Sequence, residues 1–430
     1  MSAPPSSSPT WQVCASCGSE IPETDPHPRC PRCRGLLELR HRPPAQGGNA
    51  LRALFDARWG VRRGALASGV WRYGEAVLPT AGDHILSYPE GNTPLLASAP
   101  VARWAGAPEL LLKHEGQNPT GSFKDRGMTV GVTQARRVRA RAVACASTGN
   151  TAAALAAYAA LAGLPALVLV PKGQVALGKL TQALAYGART LLVRGNFDDC
   201  LELADQASER LGVYLLNSVN PFRLEGQKTI VLELLQQLGW EPPDWIVLPA
   251  GNLGNTAAFG KALQEARAWG LIERTSRLAA VQAEGAAPFA QGFREGFAQR
   301  RRVQPHTVAT AINIGNPVSY ERAARAIRDT NGVVTTVSDD EILEAKAVVD
   351  GAGIGCEPAS AAAPAGVRRL IREGVIRPSD RVVAVLTGHV LKDPEIVTRY
   401  HQELEPRPPR ANRPIEIEAR LTELERVMGG

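Results

Sequence analysis

Nowhere in the 430 residues do about 18 apolar side chains follow one another without a Gly, a Pro or a charge, which argues against a transmembrane helix. Aromatic residues are only 5% of the chain, and the arginines are scattered, with short runs such as Arg300-Arg301-Arg302. A nucleic-acid surface gathers its basic residues into a stripe with interleaved aromatic platforms. The net charge of +7 therefore reads as a basic solvated surface, open to small anions but expecting neither nucleic acid nor membrane as partner. The opening MSAPPSSSPT lacks the basic and apolar halves of a signal peptide and reads as a short disordered lead, so a cytoplasmic protein is expected. Of the seven cysteines, Cys145, Cys200 and Cys356 stand alone, which speaks against a disulfide framework and suits a reducing compartment. What is left is the composition of a globular protein, 44% hydrophobic and 21% charged, long enough for a large domain with appendages.

The other four cysteines lie close together. Cys14-Ala-Ser-Cys17 and Cys30-Pro-Arg-Cys33 are two Cys-x-x-Cys knuckles with twelve residues between them. Four thiolates in that spacing can close a tetrahedron around one metal ion, and the Pro, Asp and Gly residues of the gap suit a tight ribbon. A structural Zn2+ is expected, with redox thiols or iron as minor readings. Such a metal folds a module too small for a core of its own, since structural zinc supplies on the order of 10 kcal/mol. It is expected to lie far from the chemistry, so that a chain starting near Ala45 keeps activity.

RHRPPAQGGN, residues 40–49, reads as a linker, and the segment up to SYPEGNTPL is punctuated too often for a long helix. Beyond residue 110 the pattern predicts strands alternating with helices. Strands are expected within 108–115 and at 141–146, 165–170, 190–193, 213–216, 245–248, 278–282 and 381–386. Helices are expected at 123–138, 151–162, 177–186, 197–211, 225–238, 256–269 and 360–372. Short apolar strands alternating with helices predict an α/β fold: two parallel-sheet subdomains with helices on both faces, enclosing a cleft. The expected organisation is a ribbon module with linker at 1–44 and a catalytic domain at 45–404, with a smaller subdomain at roughly 130–215 nested in it. A tail at 405–430 follows, its Ile417, Leu421 and Leu424 at helical spacing for packing on the body or on a partner subunit.

Chemistry gathers where strands end. In Asn118-Pro-Thr-Gly-Ser-Phe-Lys124-Asp-Arg126-Gly127, Ser122 is a candidate N-cap, which puts Lys124 in the first turn of a helix. The positive end of the helix and Arg126 both disfavour an ammonium, helping a lysine of ordinary pKa ~10.4 act as a neutral amine able to form an imine with an aldehyde cofactor. A lone lysine here would read as solvated; its neighbours change that. Ser147-Thr148-Gly149-Asn150 joins a strand to an alanine-rich helix, a cradle for a carboxylate or an ordinary turn. Gly251-Asn252-Leu253-Gly254-Asn255 is a second such loop, whose two glycines let backbone approach a phosphate closely. Leu386-Thr387-Gly388-His389 ends another apolar strand.

Together, in this order, these features resemble the β-family (fold type II) of pyridoxal-phosphate (PLP) enzymes, and most closely its threonine synthases. The resemblance runs from Glu90-Gly-Asn-Thr-Pro-Leu95 to Leu391-Lys-Asp393 and includes Asn217-Ser-Val-Asn-Pro-Phe-Arg223-Leu-Glu225-Gly-Gln227. The family expects Thr-Gly-His-Gly-Leu-Lys-Asp where this chain has Val390, which puts the local backbone in question. The resemblance implies that Lys124 is the Schiff-base lysine and proton shuttle, and that Asn150 bonds the cofactor's 3′-oxygen. It further implies that Gly251, Asn252, Leu253, Gly254 and Asn255 hold the cofactor phosphate and that Thr387 faces the pyridine nitrogen. Ser147 and Thr148 are then free for a substrate carboxylate, and Ser218 with Arg223 for a substrate phosphate; an ion pair between Arg223 and Glu225 is the other reading. The implied activity is conversion of O-phosphohomoserine and water to threonine and phosphate, a carbon–oxygen lyase of threonine biosynthesis, by a homodimer. Zinc ribbons also occur at the N-termini of threonine synthases. Serine or threonine dehydration and cysteate synthesis on the same scaffold stay open, as does a non-catalytic zinc-ribbon binding protein.

Overall fold

The computed structural model describes residues 8–173 and 180–428. Three sheets organise them. β1 (Thr10–Cys14), β2 (Glu20–Pro22) and β3 (Leu37–His41) form a small antiparallel sheet in the order β2-β1-β3. A six-stranded sheet runs β12-β11-β10-β13-β5-β4, built from β4 (Leu95–Ala97), β5 (Leu110–His114), β10 (Trp245–Pro249), β11 (Arg277–Ala283), β12 (Val333–Val337) and β13 (Val382–Leu386). All its pairings are parallel except β4 with β5. A four-stranded parallel sheet, β8-β7-β6-β9, comprises β6 (Ala142–Ala146), β7 (Ala166–Pro171), β8 (Arg189–Val193) and β9 (Val213–Leu215).

The central strands are wholly apolar because helices cover both faces; β6, β10 and β13 are buried at every position. Separate apolar clusters line the opposite faces of the six-stranded sheet: Ile246, Leu248, Val383 and Val385 belong to one, Trp245, Val247, Val382 and Ala384 to the other. That alternation is the period of two a strand imposes. Among the described residues no helix is long and apolar enough to cross a membrane.

Two helices decide where the chemistry sits. Lys124–Arg137 and Pro221–Gln237 cross at Gly127 and Gly226. A Cβ on Gly127 would meet the Arg223 carbonyl oxygen at 2.9 Å, and one on Gly226 would overlap the Arg126 carbonyl oxygen. Only glycines let these backbones touch, and the touching brings the first turns of both helices, with Lys124 and Arg223, to one place.

The structure corrects several sequence expectations. The helix expected from Glu225 begins at Pro221, capped by the Asn220 side chain, which accepts the Phe222 N–H at 3.0 Å. Proline suits the first helical position, so Arg223 lies inside the helix. The stretch between β11 and residue 358, for which the sequence predicted no element, contains Tyr320–Asp329, β12 and Asp339–Gly351. The linker is shorter than 40–49, with β3 ending at His41 and a helix over Gly48–Arg58. Of the helix expected at 177–186, residues 177–179 lie outside the described residues; Thr181–Ala185 is helical. The tail helix is confined to Leu421–Met428 and buries nothing, with Leu421 71% and Met428 80% exposed; it does not pack on the body.

Candidate active site

The lysine loop is stapled to the end of β13. Phe123 N–H donates to the Thr387 carbonyl at 3.1 Å, His389 N–H donates to the Gly121 carbonyl at 2.9 Å, and Ser122 forms an isolated bridge with Gly388. Lys124 is the first residue of its helix. The N-cap is Phe123; Ser122, one residue earlier, accepts the Lys124 N–H at a long 3.4 Å, a weaker cap than expected. Asp125 fixes the loop from within, accepting from the Thr120 N–H at 2.7 Å and its hydroxyl at 2.5 Å.

The Lys124 amine is pulled down to about 7, chiefly by burial and then by the charge of Arg223, with Glu357 opposing. Arg126 contributes nothing to this, contrary to the sequence reading. It is buried and spent on Glu115 (Nε to Oε2, 2.7 Å) and Glu233 (Nη2 to Oε1, 2.8 Å), where Lys113 also donates to Glu233 at 2.7 Å. That network of buried, mutually satisfied charges supports the loop from below.

Arg223 is the reverse case. It is 2% exposed, its Nη1 donates to the Leu216 carbonyl at 3.1 Å, its Nε has no partner, and no carboxylate pairs with it among the described residues. Glu225 is not its partner: that carboxylate is engaged by His41 at 2.8 Å, Lys228 at 2.5 Å and Lys261. Burial without a counter-ion lowers the guanidinium to about 10. A buried cation left in this condition is a site for an anion.

Ser218 joins Arg223's segment to the glycine loop: Asn252 Nδ2 donates to the Ser218 hydroxyl at 2.9 Å. Asn252 Oδ1 in turn accepts the Val318 N–H at 2.7 Å. Leu253 has φ 64°, a left-handed turn that aims successive N–H groups at one point, and the helix Gly254–Ala268 starts there. The buried Asn255 Oδ1 and Thr256 Oγ1 have no partner. Protein neighbours also require Gly251, whose Cβ would meet Ile312 Cα at 2.9 Å, while a Cβ on Gly254 would sit tightly against Gln227 Oε1 at 3.2 Å. This cradle, with the unpaired Thr256 hydroxyl at a helix N-terminus, fits a phosphate group.

Across the cleft, Ser147 and Thr148 are half-buried at the end of β6, ahead of the helix Asn150–Ala162, which has no side-chain cap. Asn217 pins them, accepting the Ala146 N–H at 2.9 Å and donating to its carbonyl at 3.0 Å. Asn150 and Thr387 meet through a residue the sequence reading passed over. Glu357, 4% exposed, accepts from Asn150 Nδ2 at 2.9 Å and from the Thr387 hydroxyl at 3.1 Å, while Ser360 Oγ lies 3.0 Å from Thr387 Oγ1. Burial pushes the Glu357 carboxyl up. Gly388 is obligatory, since any Cβ would overlap that carboxylate. The signal was Glu-Pro-Ala-Ser, an N-cap position before a proline. Val390 is accommodated because Gly355, at φ 70°, leaves room: its Cβ would lie 3.1 Å from Val390 Cβ.

The four cysteines form a separate cluster. Cys14 and Cys33 sulfurs are 3.4 Å apart, Cys17 and Cys30 sulfurs 3.7 Å, and all four lie within 4.8 Å of one another. Thiolates bound to zinc at 2.3 Å stand about 3.8 Å apart, so the donor set fits a tetrahedral ion. His41, Glu225 and Glu265 also converge, but Lys228 and Lys261 already neutralise those carboxylates.

Lys124, fastened to the end of β13, the glycine loop after β10 and the turn after β6 all lie at strand ends of the two larger sheets, an arrangement suited to an enzyme with an aldehyde cofactor. A family described as pyridoxal-phosphate dependent enzymes matches residues 86–388. The chain is 46% identical over 362 residues to threonine synthase of Methanocaldococcus jannaschii, spanning 84% of this chain and 87% of that protein. It is 45% identical over 392 residues to threonine synthase of Methanosarcina acetivorans, spanning 91% and 94%. The chain belongs to the pyridoxal-phosphate-dependent enzyme family, among its threonine synthases. The crystal structure of Escherichia coli threonine synthase shares the fold, with TM-score 0.69 and 18% identity over 97% of this chain and 99% of that one.

Proposed function

We propose that the protein holds pyridoxal 5′-phosphate on Lys124 and converts O-phosphohomoserine and water to threonine and phosphate by γ-elimination and β-addition. The buried, unpaired Arg223 carries this reading. The glycine loop is already suited to the cofactor phosphate, so a second anion site beside the same lysine suits a substrate that brings a phosphate of its own. Deamination of plain serine or threonine leaves that guanidinium without a task.

PLP supplies the electron sink that makes the substrate's α-carbon acidic. Gly251, Asn252, Leu253, Gly254 and Asn255 would hold its phosphate, Asn150 would bond its 3′-oxygen, and Thr387 would serve its pyridine nitrogen. A hydroxyl at that nitrogen does not keep it protonated as a carboxylate would. Electron withdrawal is thereby moderated, which favours side-chain elimination over transamination. Ser147, Thr148 and the uncapped helix start receive the substrate carboxylate; Ser218 and Arg223 receive its phosphate. Lys124, as a neutral amine, takes the α-proton and returns protons later. Assay with O-phosphohomoserine, O-phosphoserine, serine and threonine tests the reading: threonine and phosphate should appear in equal amounts from the first. Deamination of serine or threonine with no turnover of O-phosphohomoserine refutes it, and sulfite-dependent turnover of O-phosphoserine alone favours cysteate synthesis.

Cys14, Cys17, Cys30 and Cys33 hold a structural Zn2+. Elemental analysis of protein purified without chelators should find one zinc per chain, and metal-free folded protein would refute the site. The chain is organised as residues 1–44, 45–404 with 130–215 nested, and 405–430. It works as a cytoplasmic homodimer, for which the uncovered face of Leu421–Met428 is available.

A further inference from the structure

The last strand of the cysteine ribbon, β3, lies against three helices, Pro221–Gln237, Gly254–Ala268 and Tyr320–Asp329, and the first two begin at the candidate anion sites. On Pro221–Gln237, Glu225 accepts from His41 Nε2 at 2.8 Å, and both side chains are fully enclosed. On Gly254–Ala268, Lys261 donates to the Leu39 carbonyl at 2.8 Å and also pairs with Glu225. On Tyr320–Asp329, Arg322 donates to the Leu37 carbonyl and Arg325 pairs with Glu38 at 2.6 Å. The residue before that last helix, Ser319, donates its N–H to the Asn252 carbonyl at 3.3 Å. Leu39 shares one apolar cluster with Phe222, Leu253 and Ala262.

His41 has no freedom in this arrangement. Burial and the nearby Lys228 lower its pKa, so the imidazole is neutral. Its Nε2 faces the Glu225 carboxylate, which can only accept, so the ring proton sits on Nε2, and Nδ1 accepts from the Thr10 hydroxyl at 3.0 Å. Arg223 precedes Glu225 by two residues in the same helix, and among the described residues its side chain has one hydrogen bond, to Leu216. Its place is therefore set by the first turn of that helix.

We propose that His41 is a positioning residue for the substrate-phosphate site: through Glu225 the ribbon's third strand holds the turn that aims Arg223. This rests on Arg223 being the phosphate ligand. Without the imidazole, Glu225 keeps two lysines but loses its direct bond to the ribbon, leaving only the indirect link through Lys261, and the turn can shift. Displacements of about 1 Å far from the chemistry can cost up to 10²-fold in rate.

The test is calorimetric binding of inorganic phosphate to PLP-loaded protein, with kcat and KM for O-phosphohomoserine measured in parallel. His41→Ala should weaken phosphate binding and raise KM by ~10-fold, with kcat changed far less. His41→Gln, whose amide can still donate to Glu225, should recover most of the loss. In an Arg223→Ala background, His41→Ala should add nothing. Should His41→Ala not fold, Lys261→Met cuts the same tether from the half-exposed side and should shift phosphate affinity in the same direction. Weak phosphate binding in Arg223→Ala with unchanged affinity in the His41 or Lys261 variant overturns the positioning role alone. Unchanged phosphate affinity in Arg223→Ala overturns the Arg223 assignment, and this proposal with it.

Discussion

Lys124→Ala should lower turnover of O-phosphohomoserine by on the order of 10⁴-fold or more, the scale of losing a group that acts at the reacting atoms. Stability should hardly change, because the side chain is half-buried, makes no ion pair among the described residues, and sits over the Phe123 ring at 3.8 Å. Borohydride treatment of the PLP-loaded wild type should fix label on a single peptide containing Lys124; label elsewhere would falsify the assignment. The sign of the amine's pH dependence follows from its surroundings. Burial and Arg223 lower the pKa to about 7, so the neutral, reactive form predominates above that pH. In cofactor-free protein, modification of Lys124 by an amine reagent should rise through pH 7 and level off, whereas ordinary lysines with pKa ~10.4 go on gaining reactivity. A midpoint near 10 would mean the cleft does not desolvate this lysine.

Arg223→Ala should cut kcat/KM for O-phosphohomoserine by on the order of 10²-fold, the equivalent of ~3 kcal/mol for a lost charged hydrogen-bond pair. PLP content should stay constant, because the cofactor phosphate has its own loop. Stability should not fall in proportion to the burial of the side chain: the variant removes a cation that has no counter-ion in the free protein, and the cost of enclosing it goes too. The variant should also raise the Lys124 midpoint, since a repelling charge has gone. A kcat/KM within a factor of about 3 of wild type would return Arg223 to a packing role.

Much of the site was legible because its chemistry is local. A lysine in a first helical turn and a Gly-Asn-Leu-Gly-Asn loop after an apolar strand each need only neighbouring residues to be interpreted. Arg126 was misread because its partners, Glu115 and Glu233, come from other elements, and adjacency in sequence to Lys124 suggested a repulsion that geometry removes. Glu225 misled in the same way: two positions from Arg223, it turns to the ribbon instead. Glu357 was invisible because its meaning lies in Asn150 and Thr387, brought together only by the fold. Other signals were present and passed over. Ser338-Asp-Asp-Glu341 is a capping box, with the Ser338 hydroxyl accepting the Glu341 N–H at 3.2 Å and the Glu341 carboxylate accepting the Ser338 N–H at 2.8 Å. Val333–Val337 is β-branched throughout and forms β12.

The pairing of β5 with β13 bears on how the molecule is made. Leu110 lies beside Val382, and the loop that presents Lys124 is fastened to Thr387, Gly388 and His389. The ribbon and the four-stranded sheet are each complete from contiguous stretches and can form early on the ribosome, whereas this seam joins segments made far apart in time. No nascent fragment ending before Val382 has the strand that fastens the lysine. Reactive amine and binding loops can thus be synthesised without being assembled, and the enzyme becomes competent only once Val382–Leu386 has been made.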